Sequence, residues 1–174
     1  MCIRDRVVVD YQKDFVDGAL GFPGAEKLEP IILAKTADCR KNGWQVIFTL
    51  DTHGENYLST SEGKKLPIVH CVKGTPGHEL YGRIASDIHP EDVVIEKPAF
   101  GSLELADYLR RLNPDEVELC GLVTDICVVS NAILAKAALP ESRIVVDSAA
   151  CASADKTAHE NALSVMRGVQ IEVI

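Results

Sequence analysis

The sequence predicts a three-layer α/β/α domain, a doubly wound, Rossmann-like and mainly parallel sheet of about six strands with helices on both faces. Three observations carry that prediction. Short apolar runs of strand length alternate with longer segments of helical periodicity along the whole chain. The run Val117–Cys120 has the unbroken apolar character of a strand covered on both faces. Asp10, Asp51, Lys97 and Cys127 stand at or just beyond the ends of four separate runs, where open α/β sheets carry their sites.

Met1–Arg6 is a poor start for a buried strand, because Arg-Asp-Arg interrupts it. It reads as a cloning or sequence-assembly scar, and the domain is taken as residues 7–174. Val7–Val9 is the first strand, closed by Asp10, and a Gly/Pro-marked loop runs to Gly24. Leu28–Asn42 carries apolar residues at helical spacing, with Gly43 placed as its C′ residue. Trp44–Leu50 is the second strand, and Asp51-Thr52-His53 leaves its end. Residues 54–78 show little periodicity; loops of that length in compact domains are functional or disordered, and the two His, two Glu and one Cys here favour function. Leu80–Asp87 adds a short helix, Val93–Glu96 a third strand ending at Lys97, and Leu103–Leu112 a helix capped by Ser102. After Val117–Cys120, Gly121 ends the central strand, Leu122–Asp125 turns tightly, and Ile126–Ala138 is a helix. Arg143–Val146 is the fifth strand, Asp155–Arg167 an amphipathic helix stopped by Gly168, and Val169–Ile174 the last strand.

At 174 residues, 47% hydrophobic and 25% charged, the chain has the composition of one ordinary globular domain. A net charge of −8 with no clustered basic face argues against nucleic acid as a partner. No apolar run is long enough for a membrane span and no export signal is evident, so a cytoplasmic setting is expected. The six cysteines (2, 39, 71, 120, 127 and 151) are scattered, without a CxxC pair, and read as free thiols.

Cys127 falls at the first turn of a helix that directly follows a strand. Unpaired N–H groups and the positive end of the helix dipole would there lower a thiol's pKa below its usual value of about 8.5. A carboxylate such as Asp10 can take the thiol proton, and Lys97 can hold that carboxylate and stabilise a thiolate. Each residue alone has a bland reading, as a packed small side chain, a turn cap or a solvated charge. Their convergence on one edge of a sheet is what points to catalysis. Asp51-x-His53 places a carboxylate and an imidazole on the same side of an extended segment, suited to one divalent ion. Glu62 and His70 could complete a mixed N/O set, which suits zinc, manganese or iron(II). His78, His89 and His159 read as surface residues.

Together, VVVDYQKDF, Asp51-Thr-His53, His70-Cys71, EKPAFGS and GLVTDICV resemble the isochorismatase-like cysteine hydrolases, and within them the nicotinamidases. The resemblance runs from Val7 to Ile174. It implies an Asp10–Lys97–Cys127 triad; metal ligands Asp51, His53 and His70, with Glu62 as a fourth; and a cis Leu122–Val123 peptide. It further implies an oxyanion hole made by the backbone N–H groups of Val123 and Cys127, and a substrate pocket involving Phe15, Phe100, Tyr57 and Leu122. One divalent metal, zinc foremost, is the implied cofactor. The implied partners are a small-molecule amide, further copies of the chain, and neither nucleic acid nor membrane. Leu66 replaces the Trp that usually precedes the metal His, with one residue extra before His70, and Tyr57 stands where many members have a further His.

Overall fold

The computed structural model describes residues 4–174. Its sheet holds six parallel strands: β1 Arg4–Val9, β2 Val46–Asp51, β3 Val93–Lys97, β4 Glu116–Leu122, β5 Arg143–Ala152 and β6 Glu172–Val173. Their spatial order is β3-β2-β1-β4-β5-β6, so the winding reverses between β1 and β4. The helices are α1 Lys13–Val16, α2 Glu29–Lys41, α3 Ser61–Lys65, α4 Leu103–Leu112, α5 Val129–Ala138 and α6 Lys156–Gly168. Among the described residues no helix is long and apolar enough to cross a membrane.

Burial explains why the central strands read as they do. All seven residues of β4 are buried, and Val7, Val8 and Val9 of β1 are fully so. Glu116 and Glu118 escape the cost of a buried charge by pairing, Glu116 with Arg4 and Arg143, and Glu118 with Arg6 and Lys35. Of the six residues set apart at the chain's start, 1–3 lie outside the described residues; Arg4, Asp5 and Arg6 form the first half of β1, in register with Glu116–Glu118. Strand β1 therefore starts before the Val7 expected from sequence.

Several other boundaries differ for local reasons. A 3₁₀ turn, Ala25–Leu28, precedes α2. Gly43 takes the C′ position with φ +71°, as expected, whereas Gly168 is the last residue of α6 and Gln170 adopts the left-handed conformation, φ +64°. The expected strand over Val169–Ile174 shrinks to Glu172–Val173, because α6 and its cap consume the residues before it. Strand β5 runs on to Ala152 through a register shift opposite Leu119–Gly121. Residues 54–78 are not structureless; they hold α3 and two short 3₁₀ turns, Tyr57–Ser59 and Pro76–His78.

At the switch point β1 and β4 come unusually close. A Cβ on Gly121, which has φ +115°, would lie 2.1 Å from the carbonyl oxygen of Val9. Only glycine fits there, and the next residue on the neighbouring strand is Asp10.

Candidate active site

Asp10, Lys97 and Cys127 are brought together in the core, each at least 96% buried. Asp10 leaves β1 with φ +45°, a backbone conformation that a non-glycine residue keeps only when its surroundings hold it. Its carboxylate supplies that hold: Thr49 donates to one oxygen at 2.6 Å and the Lys97 ammonium lies 2.7 Å from the other. The same ammonium stands 3.5 Å from Cys127 Sγ, 3.2 Å from an oxygen of Asp51, and donates to the Ala99 carbonyl at 2.9 Å. Lysine is the last residue of β3, one position longer than the strand read from sequence, and this aims its side chain along the sheet edge.

Cys127 does not sit in the first turn of an α-helix. It lies in a π-helical turn, Thr124–Val128, that precedes α5, and the Leu122–Val123 peptide before it is cis. The thiol's pKa is not lowered, as the sequence suggested. Burial raises it well above the ordinary thiol value, and the charge of Asp10 adds to the rise while Lys97 opposes it. Burial likewise raises Asp10, against the pull of Lys97. Burial works against the charge on Lys97, but Asp10, Cys127 and Asp51 outweigh it and its pKa ends above the usual value. The thiol and the carboxylate are thus both shifted toward their protonated forms, so the carboxylate is readier to accept a proton than a free one.

Next to this group lie Asp51, His53 and His70, whose ligand atoms all fall within 4.8 Å of one another, a set able to hold a divalent metal ion. Asp51 Oδ2 is 2.9 Å from His53 Nε2 and 3.4 Å from His70 Nε2. His70 Nδ1 donates to the Ile68 carbonyl at 2.7 Å, which turns its Nε2 toward the cluster. Glu62, on α3 and half-buried, is 3.7 Å from both imidazole Nε2 atoms. Burial would raise the Asp51 pKa, but hydrogen bonds from both histidines and the charge of Lys97 hold it below the ordinary carboxylate range. Two imidazole nitrogens, a buried carboxylate and a second carboxylate at the rim are the donor chemistry that zinc, manganese and iron(II) accept.

A cavity of about 40 Å³ joins the two groups, with Cys127, Val123, Asp51, His70 and Glu62 in its wall together with Phe15, Leu20, Leu66, Phe100 and Ile126. Phe15 and Phe100 therefore line it as expected. Tyr57 and Leu122 do not. Tyr57 is packed behind the metal cluster, its ring 4.7 Å from that of His53 and 5.0 Å from that of His70, with its hydroxyl donated to Leu66 O. Leu122 is fully buried in β4 and contributes only its peptide. His78 is buried and bonds the Thr52 hydroxyl, and His159 is half-buried against that of Thr124; only His89 is the exposed surface residue expected of all three.

Sequence reading missed the residues that hold the site. The fully buried Gln12 amide pairs with the backbone of Asp51, donating to its carbonyl at 2.9 Å and accepting from its N–H at 2.7 Å. Asp14 accepts the Cys71 N–H at 2.7 Å, fixing the turn that carries His70. Asn131, fully buried on α5, bonds the carbonyl of Cys127. Each is a polar residue inside an apolar segment or just past a strand, the one signal that could have exposed it.

A buried thiol, a carboxylate and a lysine meet at the switch point of a doubly wound sheet, with a His/Asp cluster able to hold a metal alongside, an arrangement suited to a cysteine hydrolase. An isochorismatase domain model matches residues 6–174, and the chain belongs to that family. It is 35% identical over 170 residues to an isochorismatase family protein, PncA, of Bacillus subtilis, covering 91% of each chain. It is 30% identical over 191 residues to the nicotinamidase/pyrazinamidase of Mycobacterium tuberculosis, covering 99% of this chain and 98% of that one. The crystal structure of Pyrococcus horikoshii pyrazinamidase in complex with zinc matches with a TM-score of 0.86 at 27% identity, covering 98% of both chains.

Proposed function

We propose that the protein hydrolyses nicotinamide to nicotinate and ammonia through a thioester on Cys127. The observation that carries the reading is the Lys97 ammonium, which reaches Asp10, Cys127 and Asp51 at once and so joins the thiol–carboxylate pair to the metal cluster. Cys127 Sγ attacks the carboxamide carbon while its proton passes to Asp10. The backbone N–H groups of Val123 and Cys127 receive the developing oxyanion. The C–N bond then breaks, Asp10 returns the proton to the departing nitrogen, and ammonia leaves. Water attacks the thioester with Asp10 again as base, the C–S bond breaks, and the thiolate recovers the proton as the acid is released. Lys97 stays charged throughout and keeps Asp10 oriented. Asp51, His53 and His70, with Glu62 at the rim, would hold the ion, zinc before manganese or iron(II). When bound, it would supply a Lewis acid that orients a pyridine nitrogen.

The zinc-bound relative and the nicotinamidase names of other relatives support this reading. A second reading, a hydrolase of another small amide with the same triad, is favoured by Leu66 in the cavity wall, where a Trp is expected for nicotinamide. Ammonia release from nicotinamide, measured beside metal content on one sample, tests both: turnover of other small amides but not of nicotinamide would favour the second. An inert, metal-binding homologue would release none from any amide. The proposal includes a cytoplasmic setting and a homo-oligomer, checked by fractionation and by light scattering.

A further inference from the structure

Asn131 is the one side-chain amide that touches both the nucleophile's backbone and the loop bearing Phe100. It lies one turn beyond Cys127 and is fully buried. An amide so placed costs stability unless its groups are paired, and here both ends are. Its nitrogen donates to Cys127 O at 2.8 Å and to Phe100 O at 3.1 Å, and its oxygen accepts the Ser102 N–H at 2.9 Å. Two carbonyls facing the nitrogen fix which way round the amide sits. The loop it grips follows Lys97 directly and is gripped at its other end by that lysine, through Ala99 O. Its backbone rides close on α5: a Cβ on Gly101 would lie 2.7 Å from a methyl carbon of Leu134. Beyond it, Ser102 caps α4 by accepting the Leu105 N–H. Residues 97–102 thus form a bracket fastened at both ends, and of these residues Phe100 alone is in the wall of the reaction cavity.

We propose that Asn131 is a positioning residue that sets Phe100 and Cys127 relative to one another, so that the wall of the substrate cavity and the attacking thiol move as one unit. The proposal rests on the hydrolase reading for its kinetic arm alone. Asn131→Leu keeps the side chain's approximate size, removes all three bonds, and leaves two carbonyls and an N–H unpaired. The expected result is a fall in kcat/KM of roughly 10- to 100-fold, the scale of a misplacement near 1 Å, shared between a lower kcat and a higher KM. Alkylation of Cys127 by iodoacetamide should change in rate in the same variant, and that readout needs no substrate. Gly101→Ala disturbs the bracket without touching any hydrogen bond. It should raise KM with kcat held, and Leu134→Ala in the same chain should restore KM by removing the clash. If Asn131→Leu lowers only the melting temperature, with kcat, KM and alkylation of the folded protein unchanged, the proposal is wrong. The same holds if Gly101→Ala leaves KM untouched. Wild type that releases no ammonia from any amide would overturn the hydrolase reading instead, and the alkylation comparison would still decide the role of Asn131.

Discussion

Asp51 divides its carboxylate between two tasks, with Oδ1 3.2 Å from the Lys97 ammonium and Oδ2 2.9 Å from His53 Nε2. One side chain thereby ties the acid–base group to the metal cluster. Replacing it, Asp51→Ala, should cost the protein its bound metal, measured by plasma emission on purified samples. It should also cut kcat/KM further than His53→Ala does, because Asp51 also contacts the lysine. Equal losses in the two variants would show that the lysine contact contributes nothing.

Cys127→Ala should abolish turnover, a loss on the order of a million-fold when a sole nucleophile is removed, while circular dichroism stays native. Cys39→Ala and Cys151→Ala, buried away from the cavity, should leave kcat within about twofold of wild type. Near-normal activity in Cys127→Ala would refute the thioester.

The pH dependence of Cys127 alkylation has a sign for each neighbour. Burial and the Asp10 charge raise the thiol and Lys97 lowers it. In wild type the rate should therefore climb only above the ordinary thiol range near pH 8.5. Asp10→Asn removes a raising charge, so the climb should move to lower pH even as turnover collapses for want of a base. Lys97→Met removes the lowering charge, so it should move higher. Observed midpoints belong to the coupled group, yet the two shifts must be opposite. Shifts in one direction would mean that the three groups do not interact as the distances require.

Chelation, or His53→Ala, separates orientation from activation. KM should rise with kcat little changed if the ion chiefly positions the ring, and kcat should fall too if it polarises the amide. Steady-state kinetics before and after zinc, manganese or iron(II) is restored make the measurement. Protein that holds none of them and responds to none would remove the metal from the mechanism.

Outside the site, Leu109 on α4 is fully buried in the core. Leu109→Ala should destabilise by about 2–5 kcal/mol in urea titration, with kcat of the folded fraction unchanged.

The six strands, though not all their bounds, and the convergence of Asp10, Asp51, Lys97 and Cys127 were legible, because burial on both faces leaves a continuous apolar signature and because strand ends in such sheets carry chemistry. The thiol's environment was not. Strand-then-helix spacing around Cys127 suggested a thiol acidified at a helix start, but the local periodicity does not encode a π turn or the packing that buries it. Helix boundaries slipped where 3₁₀ turns abut α-helices, as before α2. The supports Gln12, Asp14 and Thr49 act on partners 39 to 57 positions away, a relation that only the folded chain displays.

The pairing of β1 with β4 joins Arg4 to Glu116 and Val9 to Gly121, and Asp10 and Cys127 flank that seam. No local stretch of the chain can assemble the reactive group by itself. A nascent or partly folded molecule holds only an ordinary cysteine, and the lysine–carboxylate environment arises when β1 and β4, the most sequence-distant of the paired strands, meet. Reactivity at Cys127 is in that sense a certificate of finished assembly: its alkylation profile distinguishes a fully formed molecule from a compact but misregistered one without any substrate.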